Sequence, residues 1–337
     1  MATTEQKKVV YTVFLVAGNT KYNVTPVMES LDRFDMEGQI AQQISFHLWN
    51  VQVNGSWLSG IVKPRNRVYI YANDGTKNAE VFRGYLWGNK YNSSNSDRLL
   101  KLTAYDQLIY LQESEESLYY SAGMSTKDVV SSICSKWGIP LSYSYSSITH
   151  AKLPLRGKIY EILSTDILDL VKKRTGKKYV IISDKDIMYV KPEGANTTVY
   201  QFRAGKNVIS TSSGWSMEGV ITQVVIVGKQ DDEGREPFEA AVTGNTSKYG
   251  TLQKIQERDE ETSLDDAKLE AKATIDEFGE PKMEYEIIAT DIPWIRKGDK
   301  VYAHAGDIGD RYLIVTSIDR MYTTKKCQMT LTLTEVK

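Results

Sequence analysis

Several signals of chemistry are missing from this chain. It holds two cysteines, Cys134 and Cys327, in 337 residues. That excludes a disulfide framework and makes buried free thiols in a reducing compartment the expectation. Its three histidines, His47, His150 and His304, lie far apart, outside any zinc-protease helix motif and beside neither cysteine. A G-x-S-x-G elbow, a Walker loop and a G-x-G-x-x-G loop are absent. An excess of one charge is lacking too: 42 Lys and Arg stand against 43 Asp and Glu, for a net charge of −1. A dedicated nucleic-acid binder would need a basic excess to displace counterions, and nothing here draws the chain to an anionic membrane. No apolar run approaches the ~20 residues of a membrane span. Lys7-Lys8 followed by residues 9–17 has the outline of a signal peptide, but the apolar run is short, contains Thr12 and lacks a small-x-small cleavage site. A β-strand is expected there.

What is present is sheet. Tyrosine is abundant, at 21 residues, and Thr and Val recur in alternating runs, the composition of a pleated, half-buried surface. The end of the chain reads as a Gly-Asp turn, a strand Lys300-Val301-Tyr302-Ala303-His304-Ala305, a turn at 306–310, a strand at 312–318, a polar loop at 323–326, and a last strand at 328–336. In that last strand Met329, Leu331 and Leu333 alternate with Gln328, Thr330, Thr332 and Thr334. The same order occurs earlier. Arg67-Val68-Tyr69-Ile70-Tyr71-Ala72 repeats the basic-Val-Tyr-x-x-Ala pattern, Asn73-Asp74-Gly75 supplies the turn, and strands at 81–87 and 99–105 follow. Any two antiparallel meanders share some of this order; the matching first strand favours a duplication. At Pro64-Arg65-Asn66 the first copy lacks the Gly-Asp turn of Gly298-Asp299, which weakens the repeat at that point.

Taken in order, the chain opens with a strand at 9–16, a short extended piece at 22–25, a polar link over 30–37, and a strand over 41–53 in which Ile44, Phe46 and Leu48 alternate with Ser45, His47 and Trp49. Residues 1–112 are expected to form one β-barrel or sandwich. From about 113 the period changes. Ser125 with Asp128 caps a helix carrying Val129, Val130, Ile133 and Trp137, and Gly138 with Pro140 ends it. A second helix is expected from Ser164 or Thr165, with Lys172-Lys173-Arg174 at the negative end of its dipole and Gly176 as its stop. Strands at 179–182 and 187–190 complete an α+β unit, 113–204. Residues 205–337 return to sheet, with a strand over 219–227 and a helical excursion at 263–279 whose Ala267, Ala271, Ile275 and Phe278 line one side. The expected fold class is mainly β with an α+β insertion: two related tube-like β-barrel domains flanking a small α+β domain.

The remaining candidates for chemistry each have a plainer reading. Cys134 and His150 would serve as nucleophile and base, but Cys134 falls on an apolar helix stripe and reads as a core thiol. Asp231-Asp232-Glu233 lacks the ligand spacing of a calcium loop and reads as a solvated charge cluster. No pair of carboxylates is singled out for glycosidase work. Catalytic, cofactor and metal residues are therefore all expected to be none, and the chain is expected not to be an enzyme.

Residues 41–48 followed by 61–68, the helix and hairpin at 164–190, and the C-terminal stretch from Arg296-Lys297-Gly298-Asp299-Lys300-Val301 to Leu333 resemble the baseplate hub proteins of contractile phage tails and phage-tail-like bacteriocins. The likeness is to the XkdQ/YqbQ-type tail proteins, with the late-control D hub proteins more distant. The resemblance implies a structural baseplate hub: a homotrimer whose two tube-like barrels per subunit make a pseudo-six-fold ring joining tail tube to spike. It implies as partners a tail tube or tube initiator protein, the central spike protein and baseplate wedge proteins, with a tape measure as a further candidate, no specific nucleic acid and no membrane insertion. It implies assembly in the bacterial host cytoplasm into a phage or bacteriocin particle released on lysis. The alternatives are a tail-associated cell-wall hydrolase and a carbohydrate-binding β module, the latter suggested by the many Tyr and Trp.

Overall fold

Apolar residues at every second position build the strands. In Gln43–Trp49, Ile44, Phe46 and Leu48 are fully buried, and the residues between them face outward. The computed structural model describes residues 9–53, 55–93, 98–144, 147–258 and 262–336. It divides into two units, Met1–Ser212 with Tyr285–Lys337, and Ser213–Glu284.

In the first unit the chain runs through β1 (Val10–Ala17), β2 (Thr20–Asn23), β3 (Met28–Asp35) and β4 (Gln43–Trp49). The small hairpin β5 (Gln52–Val53) and β6 (Ser56–Trp57) comes next, then β7 (Arg67–Asn73), β8 (Asn78–Ser93) and β9 (Arg98–Tyr105). β3 corrects the polar link expected over 30–37. Its inward positions are Leu31, Arg33 and Asp35, all buried. The strand period is intact, but two of the three inward residues are charged, so the pattern imitated a surface link.

An α+β segment follows. β10 (Glu115–Tyr120) precedes a helix, Thr126–Lys136, and the Ser125 side chain accepts from the Asp128 amide as its cap. β11 (Leu141–Tyr143) and β12 (Leu153–Lys158) lead into a helical run over 159–175. That run begins five residues before the expected Ser164 and contains a π-helical stretch, Ile162–Leu168. The wider winding shifts the apolar stripe, so that Ile159, Ile162 and Leu163 are also buried. Gly176, at φ +69°, ends it. The hairpin β13 (Tyr179–Asp184) and β14 (Ile187–Pro192) pairs with β11. Val129, Ile133, Cys134, Ile167, Val171 and Met188 share one core with Ile40 and Leu108.

β15 (Gln201–Arg203) follows, and within β16 (Val208–Ser216) the chain passes into the second unit. There β17 (Gln223–Val227) lies between β18 (Phe238–Thr243) and β19 (Gln253–Glu257). The helix Leu264–Phe278, capped by Ser263, covers one face of this small sheet. Val224, Ile226, Ala267 and Ala271 form its core, with Ile275 packed against them. Phe278 departs from the expected stripe and is 43% exposed. The strand expected over 219–227 starts at Gln223, because Glu218 and Gly219 make a turn, with Gly219 at φ +77°. The chain closes with β20 (Lys282–Thr290), β21 (Lys300–Ala305), β22 (Gly309–Thr323) and β23 (Cys327–Glu335).

The protein is mainly β. Among the described residues one sheet of thirteen strands runs β16-β20-β23-β22-β3-β4-β9-β8-β7-β1-β2, with β21 also on β22 and β15 on β21. Within it, two series have the same order. One reads β3-β4-β9-β8-β7-β1 and the other β16-β20-β23-β22-β21-β15. They differ at the last pair, antiparallel for β7 with β1 and parallel for β21 with β15. The register matches as well. Leu86 faces Ala104, which faces Ile44; Val315 faces Leu333, which faces Tyr285. Arg67 faces Tyr85 and Lys300 faces Ile314, and in each long strand a bulge falls two residues further on, at Trp87 and at Thr316. The buried sets coincide: Val68, Ile70, Ala72 with Val301, Ala303, Ala305, and Leu100, Leu102, Ala104 with Met329, Leu331, Leu333.

Candidate functional site: a charged seam between the two strand series

The turn that enters each meander sets the site's geometry. In the first series the Lys63 amide donates to Asn66 Oδ1 at 2.7 Å, and the Asn66 amide to the Lys63 carbonyl at 3.2 Å. In the second, the Arg296 amide donates to Asp299 Oδ2 at 2.8 Å, and the Asp299 amide to the Arg296 carbonyl at 3.1 Å. Each turn then bonds its long strand on both sides: Arg65 N to Leu86 O and Leu86 N to Asn66 O, both 2.8 Å, against Gly298 N to Val315 O at 2.8 Å and Val315 N to Asp299 O at 2.9 Å. Arg65 adopts φ +64° where Gly298 has +82°. The absence of a Gly-Asp pair at Pro64-Arg65-Asn66 therefore does not break the repeat. Asn and Asp do the same capping, and Arg65 accepts the left-handed conformation. Glycine is required in the second copy by packing, since a Cβ on Gly298 would lie 2.5 Å from Val180 Cγ1.

The seam itself is where β22 of one series pairs with β3 of the other, Arg320 directly opposite Arg33. Both guanidiniums are buried, at 2% and 1% exposure. Burial of two like charges is tolerable only with partners. Arg320 Nε contacts Asp291 Oδ1 at 2.9 Å, and its Nη2 donates to the carbonyls of Ile292 and Ile295 at 3.3 and 2.5 Å. The Tyr11 hydroxyl donates to Asp291 Oδ2, and Arg33 Nη1 donates to that hydroxyl at 3.3 Å. Arg33 Nη2 reaches the Val81 carbonyl at 3.2 Å. Burial, then the Asp291 charge, pushes the Tyr11 phenol far up, and burial pulls Arg33 down.

A second cluster continues the seam. Asp35 Oδ2 accepts from Arg296 Nε at 3.0 Å and from the Lys297 amide at 3.3 Å. Lys297 Nζ donates to the carbonyls of Met36, at 2.9 Å, and Gln39. Burial alone would raise Asp35, but the charges of Arg296 and Lys297 outweigh it and hold the carboxyl well below the usual range. Arg296 Nη1 also donates to the Ser183 carbonyl at 3.0 Å, and Lys191 Nζ meets Asp299 at 3.1 Å, tying in the β13–β14 hairpin. That hairpin's tip, Asp186, is held by Arg67 and by Arg83, the latter at 3.4 Å. Beneath it, burial pushes Asp106 up to about 7 despite hydrogen bonds from the Gln42 and Leu108 amides.

The residues weighed for chemistry fall elsewhere. Cys134 is buried, its Sγ 4.0 Å from Met188 Sδ, and burial pushes its thiol up to about 12. His150 is buried with Nε2 2.9 Å from Thr126 Oγ1. His47 lies in β4 and His304 in β21. Asp231 organises a loop, accepting from the amides of Glu233 and Arg235. Among the described residues no group of three or more His, Cys, Asp or Glu is placed to hold a metal, and no helix is long and apolar enough to cross a membrane. Sequence reading missed the seam because Arg33, Asp35, Asp291 and Arg320 each look like surface residues. The available signal was charge at strand-inward positions: Arg33 and Asp35 alternate with Leu31, and Arg320 with Ile318.

The fold is similar to those of solved phage-tail proteins. The tail protein from Neisseria meningitidis MC58 has this fold, at 13% identity and TM-score 0.69, with 96% of each chain covered. The prophage tail protein gp18 from Listeria monocytogenes EGD-e aligns at 14% identity and TM-score 0.60, over 95% of this chain and 94% of that one. The E. coli c3393 protein, a component of the type VI secretion system with structural similarity to T4 bacteriophage tail proteins gp27 and gp5, aligns at 8% identity and TM-score 0.57, over 92% and 74%. No curated protein sequence matches the chain. The chain belongs to the YQBQ-like family, whose sequence pattern matches residues 40–334.

Proposed function

We propose that this protein is the structural hub subunit of a contractile-tail baseplate, three copies closing into a ring that joins the tail tube to the central spike. One observation carries the reading: the two strand series share order, register, bulge and entry turn. A subunit holding two equivalent series presents six of them as a trimer, which fits six-fold partners, while the differences between the series leave three-fold symmetry for others. In this reading residues 1–112 and 205–337 are the tube-like barrel domains and 113–204 the α+β domain between them. The partners are the tube or its initiator, the spike, the wedge proteins and the tape measure, in a phage or bacteriocin particle assembled in the host cytoplasm and released on lysis.

The buried seam suits a mechanical role rather than a reactive one. Its charges are spent on each other and on backbone carbonyls, which fixes one series against the next. Sedimentation and axial views of the purified assembly test the proposal: a trimer with six similar densities around a channel is expected. A monomer at all concentrations, or a ring in which one series alone lines the channel, overturns it. Degradation of purified cell wall by the pure chain would overturn the structural role.

A further inference from the structure

β22 joins the second series to the first through β3. By the register match, β8 is the first series' counterpart of β22, yet its environment is the reverse. Thr316, Ile318 and Arg320 are 6%, 0% and 2% exposed, and the Glu37 amide bonds Ser317 Oγ at 2.8 Å. Their counterparts Trp87, Asn89 and Tyr91 are all exposed, Trp87 at 45% and Tyr91 at 42%. Residues 88–90 of β8, just past the bulge at Trp87, pair with β9 on one side, and among the described residues no strand pairs with the other. Such an edge invites a strand. The counterpart of β3 is β16, which neighbours β20 as β3 neighbours β4 and ends the sheet at its far side. It is exposed along most of its length, with Ile209 61% exposed.

We propose that residues 87–91 of β8 dock on β16 of a second copy of this chain, making between chains the junction that β22 and β3 make within one. This rests on the ring reading and names its contact. The occupant is a second copy because the matching edge, β22, already shows which strand fits, and the other strand of that type is β16.

The two junctions differ in chemistry. The internal one is locked by Arg320, Asp291, Arg296 and Lys297; at the corresponding positions stand Tyr91, Asn50, Lys63 and Pro64. Contact between chains then depends on strand pairing and on burying Trp87, which already packs edge-on against Tyr105 and Tyr110 at 6.2 and 5.7 Å between centroids. Fixed seams would thus alternate with seams that close on assembly.

Hydrogen exchange on the intact protein, dilute and assembled, tests this. Amides at 87–91 and 208–212 are expected to gain protection together on assembly, while 318–323 are protected in both states. The double variant Trp87→Asp, Tyr91→Asp is expected to raise the half-dissociation concentration at least tenfold, with the melting transition of the dilute chain unchanged. If a trimer forms while 87–91 exchange as in the dilute chain, or if the double variant assembles normally, this contact is wrong and the hub reading survives. A chain that never associates overturns both.

Discussion

At the scale of single residues, the pair Arg65 and Gly298 separates two causes that usually coincide. Both sit in the left-handed region at equivalent places in equivalent turns. Backbone conformation alone does not demand glycine, since Arg65 occupies it with a full side chain. Gly298 carries the added demand of Val180 against its α-carbon. Gly298→Ala should therefore cost about 2–4 kcal/mol, combining left-handed strain with overpacking. Arg65→Gly should fall within about 1 kcal/mol of zero, because relief of strain is offset by a more flexible unfolded chain. Urea unfolding of both variants checks this. Equal effects would mean that conformation alone decides both positions.

At the scale of elements, the decisive strand is β3, and its fate explains what the sequence could and could not reveal. Elements with apolar inward faces were legible: both meanders, the capped helices at Ser125 and Ser263, and the hairpin at 179–190 follow directly from period and cap. β3 was not, because its inward Arg33 meets Tyr11 from a separate strand and its inward Asp35 finds its partners, Arg296 and Lys297, far along the chain. No local pattern announces a charge whose counter-charge is more than 200 residues away. The duplication was half legible, in the strand residues and not in the turn, since equivalence there lies in hydrogen bonds made by different residue types. The seam's worth can be measured. Removing one member of the Arg320–Asp291 pair leaves the other buried without its counter-charge, so Arg320→Met and Asp291→Asn should each cost about 3–5 kcal/mol. The double variant should cost less than their sum by roughly 2 kcal/mol or more. Additivity within about 0.5 kcal/mol would show that the two do not act as a pair.

At the scale of the whole molecule, the two series differ most at one connection. Between β3 and β4 the chain needs residues 36–42, whereas between β16 and β20 it holds residues 217–281, the bulk of the unit Ser213–Glu284. β16 and β20 are neighbours in the sheet, so the stretch enters and leaves at adjacent points. Adjacent ends are the condition under which inserted domains are tolerated. The insert has its own three-stranded sheet, its own helix and its own small core of Val224, Ile226, Ala267 and Ala271. The core around Ile44, Phe46 and Leu102 and the core around Ile133 and Ile167 contain no residue of it. Replacing 217–281 by a polar turn the length of 36–42 should therefore leave the remainder folded, its melting temperature moved by no more than about 5 °C. If the ring is built from matched series, the shortened chain should still associate as the full one does, because neither β8 nor β16 is removed. A shortened chain that is insoluble, or that melts without cooperativity, would show that the sheet needs the insert and that the matched series do not stand alone.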